Sequence, residues 1–297
     1  MDTALPPLFD DSQFIGPDEL ADRIGRADAP LLLDVRGETK FLQSTRMLAG
    51  AQRCAPSDLA AWTASQPLQE VVVYCVYGHQ VSADAVAILR AAGWPARALA
   101  GGFEGGEMGV DTPENIQRWR MQRPPSLRKR PDWGVHQITP SRWITRERPK
   151  IDRIACPWLI RRFVDSRAQF FYVPTAQVLD DAARLQAVAY DLPGAPVSHQ
   201  GELCSFDALL TAFEITDPAL IKLARIVRGA DTDRLELTAQ SAGLLAFSLG
   251  LSNIHGNDDQ SMLEAAMPMY DALYAWCRSA QAEAHSWQPE SMTGTAS

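Results

Sequence analysis

The N-terminal third of the chain alternates short apolar runs with amphipathic stretches. Gly16-Pro17-Asp18-Glu19-Leu20 predicts a helix from Pro17 to about Arg26, because proline and acidic residues suit a first helical turn. Leu31 to Val35 (LLLDV) and Val71 to Cys75 (VVVYC) are continuous apolar runs that end in polar turns. Strands covered on both faces of a parallel sheet read this way, so both belong centrally in one sheet. After VVVYC and the loop VYGHQ, Val81, Ala85, Ile88 and Leu89 fall at helical spacing and Gly93 stops the helix. Ala96 to Gly102 (ARALAGG) adds a short strand and a glycine turn. Repeated strand, helix and strand predict an α/β domain, a parallel sheet with flanking helices, over residues 1–123.

The pattern then changes. Residues 124–141 mix proline, charge and glycine without a period, which predicts a basic linker or an arm packed across a surface. Beyond it the period is helical. Helices are expected over Trp158–Asp165, Val178–Ala189, Phe206–Phe213, Pro218–Arg228, Ala239–Leu249 and Ser261–Ala284, with Pro268 kinking the last and a short strand at Gln169–Val173. This gives a mainly α second domain over 142–288 and a polar, disordered tail over 289–297.

Composition narrows the class. With 46% hydrophobic and 22% charged residues, the 297-residue chain has ordinary globular composition. No run approaches a membrane span, and MDTALPPLFDDSQF lacks the basic and apolar regions of a secretory leader, so no membrane partner and a cytoplasmic location are expected. Five cysteines form no disulfide framework; Cys54, Cys156 and Cys277 read as core thiols. The net charge of −8 is uneven: residues 118–162 hold 13 Lys/Arg against 3 Asp/Glu. That stretch suits either an anion or the acidic remainder of the chain. DNA is not the expected partner, since no reading module is visible and the total charge is acidic.

The chemistry concentrates at Cys75. It stands at the carboxyl end of an apolar strand, where open α/β sheets bind ligands. A loop winding into a helix start turns backbone N–H groups inward, and such a pocket favours a thiolate and any anion that the sulfur carries. His79 and the Ser82 hydroxyl are candidate added donors. The alternative is a buried strand-end cysteine without chemistry. A phosphatase loop would carry an arginine, and this one has none.

Several separate pieces resemble the rhodanese family. LLLDVR (Leu31 to Arg36) is similar to its strand ending in Asp-x-Arg, and LAGA (Leu48 to Ala51) to a degenerate form of its His-Ile-Pro-Gly-Ala segment. VVVYCVYGHQVS carries the cysteine and loop glycine, and LAGGFEGG (Leu99 to Gly106) resembles its closing segment, with Gly106 where tryptophan usually stands. Order and spacing agree over residues 12–110. The resemblance implies transfer of sulfane sulfur through a persulfide on Cys75, from a small donor to a thiol or cyanide, without a cofactor. It implies a cradle of loop amides from Val76, Tyr77, Gly78, His79, Gln80, Val81 and Ser82. Asp34 and Arg36 would tie the strand end to the loop. His79 or Gln80 stands in for the family's common loop arginine.

In the second region, Trp143 to Asp165 crowds Arg146, Arg148, Lys150 and Arg153 around a core-like set of apolar residues, with Pro157 expected in the first turn of a helix. Arginine at this density suits an oxyanion. The plain alternative is a face laced with salt bridges. SHQGELCSFDALL sets His199, Glu202 and Cys204 within six residues, a partial site for a divalent metal that Asp231 and Asp233, or His255, Asp258 and Asp259, would complete. These segments, with RIVRGADTD and YDALYAW, resemble the C-terminal domain of the chromate resistance protein ChrB over residues 142–280. The resemblance implies a link to chromate or another oxyanion. The expected function is a sulfurtransferase coupled to a chromate-linked domain; the alternative is a chromate-responsive regulator that binds DNA or oxyanion without catalysis.

Overall fold

A computed structural model describes residues 13–136 and 138–283; the predicted tail at 289–297 lies outside them. The first region forms a five-stranded parallel sheet from β1 (Phe14–Ile15), β2 (Leu31–Asp34), β4 (Gln52–Arg53), β5 (Val71–Tyr74) and β6 (Ala96–Leu99), in the order β1-β6-β5-β2-β4. LLLD and VVVY pair in parallel, Leu31 with Val71 through Asp34 with Tyr74, so the two most apolar runs are adjacent. The helices here are α1 (Pro17–Arg23), α2 (Glu38–Gln43), α3 (Leu59–Ser65), α4 (Gln80–Ala91) and α5 (Pro113–Met121). The helix expected after VYGHQ is α4.

Successive side chains of a strand point to opposite faces, and here the two faces meet different partners. Leu33, Val71 and Val73 pack with Ala85, Val86 and Leu89 of α4. Leu32, Val72 and Tyr74 join a larger core that includes Trp143, Trp158, Phe163, Phe206 and Tyr270 from the second region. The core on this face of the first sheet, which also takes in Leu20 and Ile24 of the α1 segment, is continuous with that of the second half of the chain. Contact there is intimate: Phe163 lies over Gly25, whose φ is +82°, so close that a Cβ at that position would fall 2.2 Å from the ring. The Phe163 carbonyl accepts the Gly50 N–H at 2.5 Å. Burying a phenylalanine of this kind contributes about 1.5–3 kcal/mol.

Part of the predicted linker is structured. β7 (Ser126–Arg128) pairs antiparallel with β3 (Arg46–Leu48), and Glu214 takes both Arg46 and Arg128. This basic segment is an arm that binds the two halves.

The second region is mainly helical: α6 (Asp152–Leu159), α7 (Val178–Leu185), α8 (Ser205–Ala212), α9 (Pro218–Asp231), α10 (Ser241–His255) and α11 (Asp259–Ala275). It also holds a three-stranded parallel sheet, β10-β8-β9, of β8 (Arg142–Arg146), β9 (Gln169–Val173) and β10 (Val188–Ala189). The strand at Gln169–Val173 was expected; β8 and β10 were not. The expected helix over Val178–Ala189 ends at Leu185, where Gln186 turns left-handed and the chain re-enters the sheet.

The largest departure concerns Pro157. The helix expected from Trp158 begins at Asp152 instead, which puts Pro157 in its interior. Proline there removes the N–H that would bond the carbonyl four residues earlier. That carbonyl, of Arg153, instead accepts the Tyr190 hydroxyl at 3.2 Å and the Tyr172 hydroxyl at 3.5 Å, so the helix survives.

Candidate functional site

Strand β5 delivers Cys75 to the carboxyl edge of the sheet, where the chain leaves β5 for the loop before α4. The thiol is 5% exposed and its Sγ accepts the Gly78 N–H at 3.3 Å. The Cys75 N–H is tied to Ser82 Oγ at 2.9 Å, so the wholly buried hydroxyl acts as an acceptor at the strand end. The Ser82 N–H goes to the His79 carbonyl, so of the expected amide cradle the structure shows the Gly78 N–H on the sulfur and turns that of Ser82 back into the loop. The loop is fixed from outside as well: the carbonyls of Cys75 and Val76 accept the N–H groups of Phe103 and Glu104.

Beneath the loop, Asp34 and Arg36 form a buried ion pair. Arg36 reaches both carboxylate oxygens and the Arg46 carbonyl. The Tyr74 hydroxyl donates to Asp34 Oδ2 at 3.0 Å and accepts the Leu48 N–H at 3.2 Å. The guanidinium lies 4.5 Å from the Phe103 ring centroid. Both oxygens of the Asp34 carboxylate, and Nε and Nη2 of Arg36, have partners, as burial favours. Its consequence is geometric: β2, β5 and the segment after Gly101 are locked together around the cysteine.

At the mouth, His79 Nε2 is hydrogen-bonded to Asp111 Oδ2 at 2.8 Å, while Nδ1 lies 3.6 Å from Glu107. A cleft of about 570 Å³ opens beside Val76 and Tyr77, lined by Arg36, Lys40 and Arg120 and also by Glu104 and Glu107. The mouth thus offers charges of both signs.

A second polar cluster lies in the other half. His199 Nε2 is 3.1 Å from Asp231, 3.2 Å from Asp191 and 3.7 Å from Asp152. Asp152 opens α6 and is wholly buried; its carboxylate accepts the Ser205 and Phe206 N–H groups at the start of α8 and the Cys156 thiol. Asp191 takes Arg146 at 2.9 Å, Arg153 at 3.3 Å and the Ser205 hydroxyl. Asp231 accepts the Asp152 N–H. Like charges about 4 Å apart repel by about 4 kcal/mol in partly screened surroundings. The titration follows from that crowding. Burial, then the charges of Asp231 and Asp191, pushes Asp152 up to about 8. The hydrogen bond to Asp191 lifts His199 to about 9. Burial also raises Asp231.

A family model of the rhodanese-like domain matches residues 16–108, and one of the ChrB C-terminal domain matches residues 143–277. The chain joins a rhodanese-like domain to a ChrB C-terminal domain. Protein ChrB of Cupriavidus metallidurans is 32% identical over 133 residues, which cover 44% of this chain and 39% of that protein. A full-length protein from Lactobacillus plantarum is 26% identical over 38% of this chain and 86% of its own, with a TM-score of 0.30. A rhodanese-like domain protein from Staphylococcus aureus is 22% identical over 33% of this chain and 96% of its own, with a TM-score of 0.29.

Within the rhodanese-like domain, two departures, one in LAGGFEGG and one in the cysteine loop, are linked in space through Asp111. Gly106 stands at the tryptophan position with φ +107°, and a Cβ there would meet the Asp111 side chain at 2.9 Å. The missing side chain makes room for Asp111, and Asp111 holds His79, which with Gln80 was a candidate stand-in for the family's loop arginine. Asp111 and Glu107 were not found from the sequence, because neither stands in LLLDVR, LAGA, VVVYCVYGHQVS or LAGGFEGG.

In the ChrB C-terminal domain the expected groupings are rearranged. Of His199, Glu202, Cys204 and Asp231, the structure brings together His199 and Asp231 only. Glu202 faces solvent and pairs with Arg234. Cys204 is buried as the N-cap residue of α8 beside Asp207. Asp258 caps α11, and Asp259 accepts the Arg148 N–H. The four cations Arg146, Arg148, Lys150 and Arg153 do not crowd one helix start: Arg146 ends a strand, Arg148 sits in the loop at φ +52°, and Arg153 alone is on α6. Arg146 and Arg153 are turned to Asp191. Farther along, Arg161 and Arg162 pair with Glu264 and Asp271, so much of the basic stretch is answered by acids of its own chain. No helix among the described residues is long and apolar enough to cross a membrane.

Proposed function

We propose that the protein is a sulfurtransferase of rhodanese type, working through a persulfide on Cys75, within a chromate-resistance-related chain. The observation that carries this reading is the Cys75 pocket: a strand-end thiol, its sulfur on the Gly78 N–H, in a loop pinned to its neighbours on both sides. The Cys75 thiolate attacks the sulfane sulfur of a small donor, and the bond between that sulfur and the rest of the donor breaks. The persulfide is then attacked at its outer sulfur by a thiol or cyanide, which carries the atom away and returns the thiolate. Amide N–H groups stabilise negative charge on sulfur at both steps, as preorganised donors do elsewhere. No cofactor is needed.

His79, held by Asp111, orients the loop in place of an arginine. The cleft sets Arg36, Lys40 and Arg120 beside Glu104 and Glu107, a mixed lining that suits a donor bearing charges of both signs, such as the persulfide of a small amino-acid thiol. The ChrB C-terminal domain supports a link between this sulfur chemistry and chromate or another oxyanion. Cyanolysis and persulfide formation by wild type and Cys75→Ser are the test. Wild type gains one sulfur atom by mass spectrometry and the variant gains none; equal activity in the two would overturn the reading.

A further inference from the structure

We infer that Asp152, Asp191, His199 and Asp231 form a binding site for a divalent first-row cation of the Mn2+ or Fe2+ kind. Their ligand atoms all lie within 4.8 Å of one another. Donors around such an ion stand about 3–3.5 Å apart, as bonds of roughly 2.0–2.2 Å require. The separations of His199 Nε2 from Asp231, Asp191 and Asp152, at 3.1, 3.2 and 3.7 Å, are close to that spacing. The carboxylate oxygens lie within 4.8 Å of one another, so an ion would draw them inward to close the shell.

The donors come from four places: the first residue of α6, the turn after β10, the loop before α8 and the last residue of α9. This is not a solvated acidic face. Asp152 and Asp191 are buried, Asp231 is mostly so, and the one half-open member is the imidazole, which gives an ion its way in from solvent. Each carboxylate is held by further groups. Two amides of α8 aim Asp152; the Ser205 hydroxyl and the two arginines aim Asp191; the Asp152 N–H aims Asp231. Outer partners of this sort orient ligands in metal sites.

Charge points the same way. Arg146 and Arg153 are both ion-paired with Asp191, and Arg153 also acts on Asp231 through space, whereas among the described residues the direct ion pairs of Asp152 and Asp231 are with His199 alone. A dication among three carboxylates and a neutral imidazole leaves one negative charge, and that charge lies where the two guanidinium groups are. The same crowding of carboxylates makes the pocket unfit for chromate or another anion. Mixed nitrogen and carboxylate donors without a ligating thiolate suit Mn2+ or Fe2+, with Zn2+ a competitor by intrinsic affinity.

Titration of the chelator-stripped full chain with Mn2+, read by the electron paramagnetic resonance of the free ion, tests the site. Wild type should remove one Mn2+ per chain from the free signal, and Zn2+ should release it. His199→Gln and Asp231→Asn should each weaken binding roughly tenfold or more. His199 is at the solvent-facing edge and Asp231→Asn keeps the shape of the side chain, and unchanged circular dichroism of both variants without metal would show that the fold is intact. Cys75→Ser should bind Mn2+ as wild type does, so this result is separable from the fate of the sulfur-transfer reading. Retention of the full free signal by wild type, with no Zn2+ bound by elemental analysis, would overturn the inference and leave His199 as an imidazolium bridging three carboxylates. Binding unchanged in both variants would overturn it too.

Discussion

The two polar centres of this protein are built in opposite ways. The Cys75 centre comes from one continuous stretch, strand β5, its loop and the start of α4, braced by the Asp34–Arg36 pair on the neighbouring strand. The Asp/His cluster draws single residues from positions 152, 191, 199 and 231, and exists only when α6, α8, α9 and the β8 sheet have packed. A contiguous site needs its strand to end in the right place. A dispersed site needs the whole domain. The first should therefore tolerate loosening of the distant core better than the second.

The largest expected effect is on Arg36. Arg36→Met leaves the Asp34 carboxylate buried without its partner, which costs about 3–5 kcal/mol. Denaturant unfolding of the variant should show that loss as a single transition in which both halves melt, because the first sheet and the second domain share one core. A variant as stable as wild type would remove the pair from its bracing role.

Gly25→Ala comes next. Its methyl group would press into the Phe163 ring, and overpacking of this kind costs about 1–3 kcal/mol. The added strain falls on the contact between halves, so calorimetry should show a lowered melting temperature, with Mn2+ binding weakened more than sulfur transfer. The reverse order would break the contrast between the two centres.

The smallest expected effect belongs to Asp111→Asn. It keeps the shape but weakens the hold on His79, and sulfur transfer should fall roughly tenfold, as it does when a positioned group is let loose. Cyanolysis kinetics measure it; an unchanged rate would show that His79 needs no clamp.

These differences in construction also decide what could be read from the sequence. The parallel sheet, α4 and the cysteine loop were legible because LLLDVR and VVVYCVYGHQVS carry their periodicity and their chemistry in one place. His199 and Asp231 were singled out, yet with Glu202 and Cys204, which are near His199 in sequence and point elsewhere. Closeness along the chain misled, because the loop before α8 turns Glu202 to solvent and Cys204 to the helix cap. Asp152 lay inside a quoted segment but was hidden by its arginines, and Asp191 had no local signal. Arg142–Arg146 was not expected to be a strand. Trp143, Ile144 and Thr145 are all buried while Arg142 is exposed, so the strand is covered on both faces, and three such residues between two arginines show no alternation to read. Pro157 misplaced the start of α6 because two tyrosine hydroxyls, remote in sequence, do the work of the missing amide.

The contact of Phe163 with Gly25 has a practical consequence for anyone who would separate the halves. Cutting the chain in the arm after residue 123 should yield no stable rhodanese-like fragment, although the family boundaries invite it. Such a fragment would uncover the apolar surface around Gly25 that Phe163 fills and leave β3 without β7. It would be adhesive and prone to self-association. Two domains by descent, the halves are one body in folding.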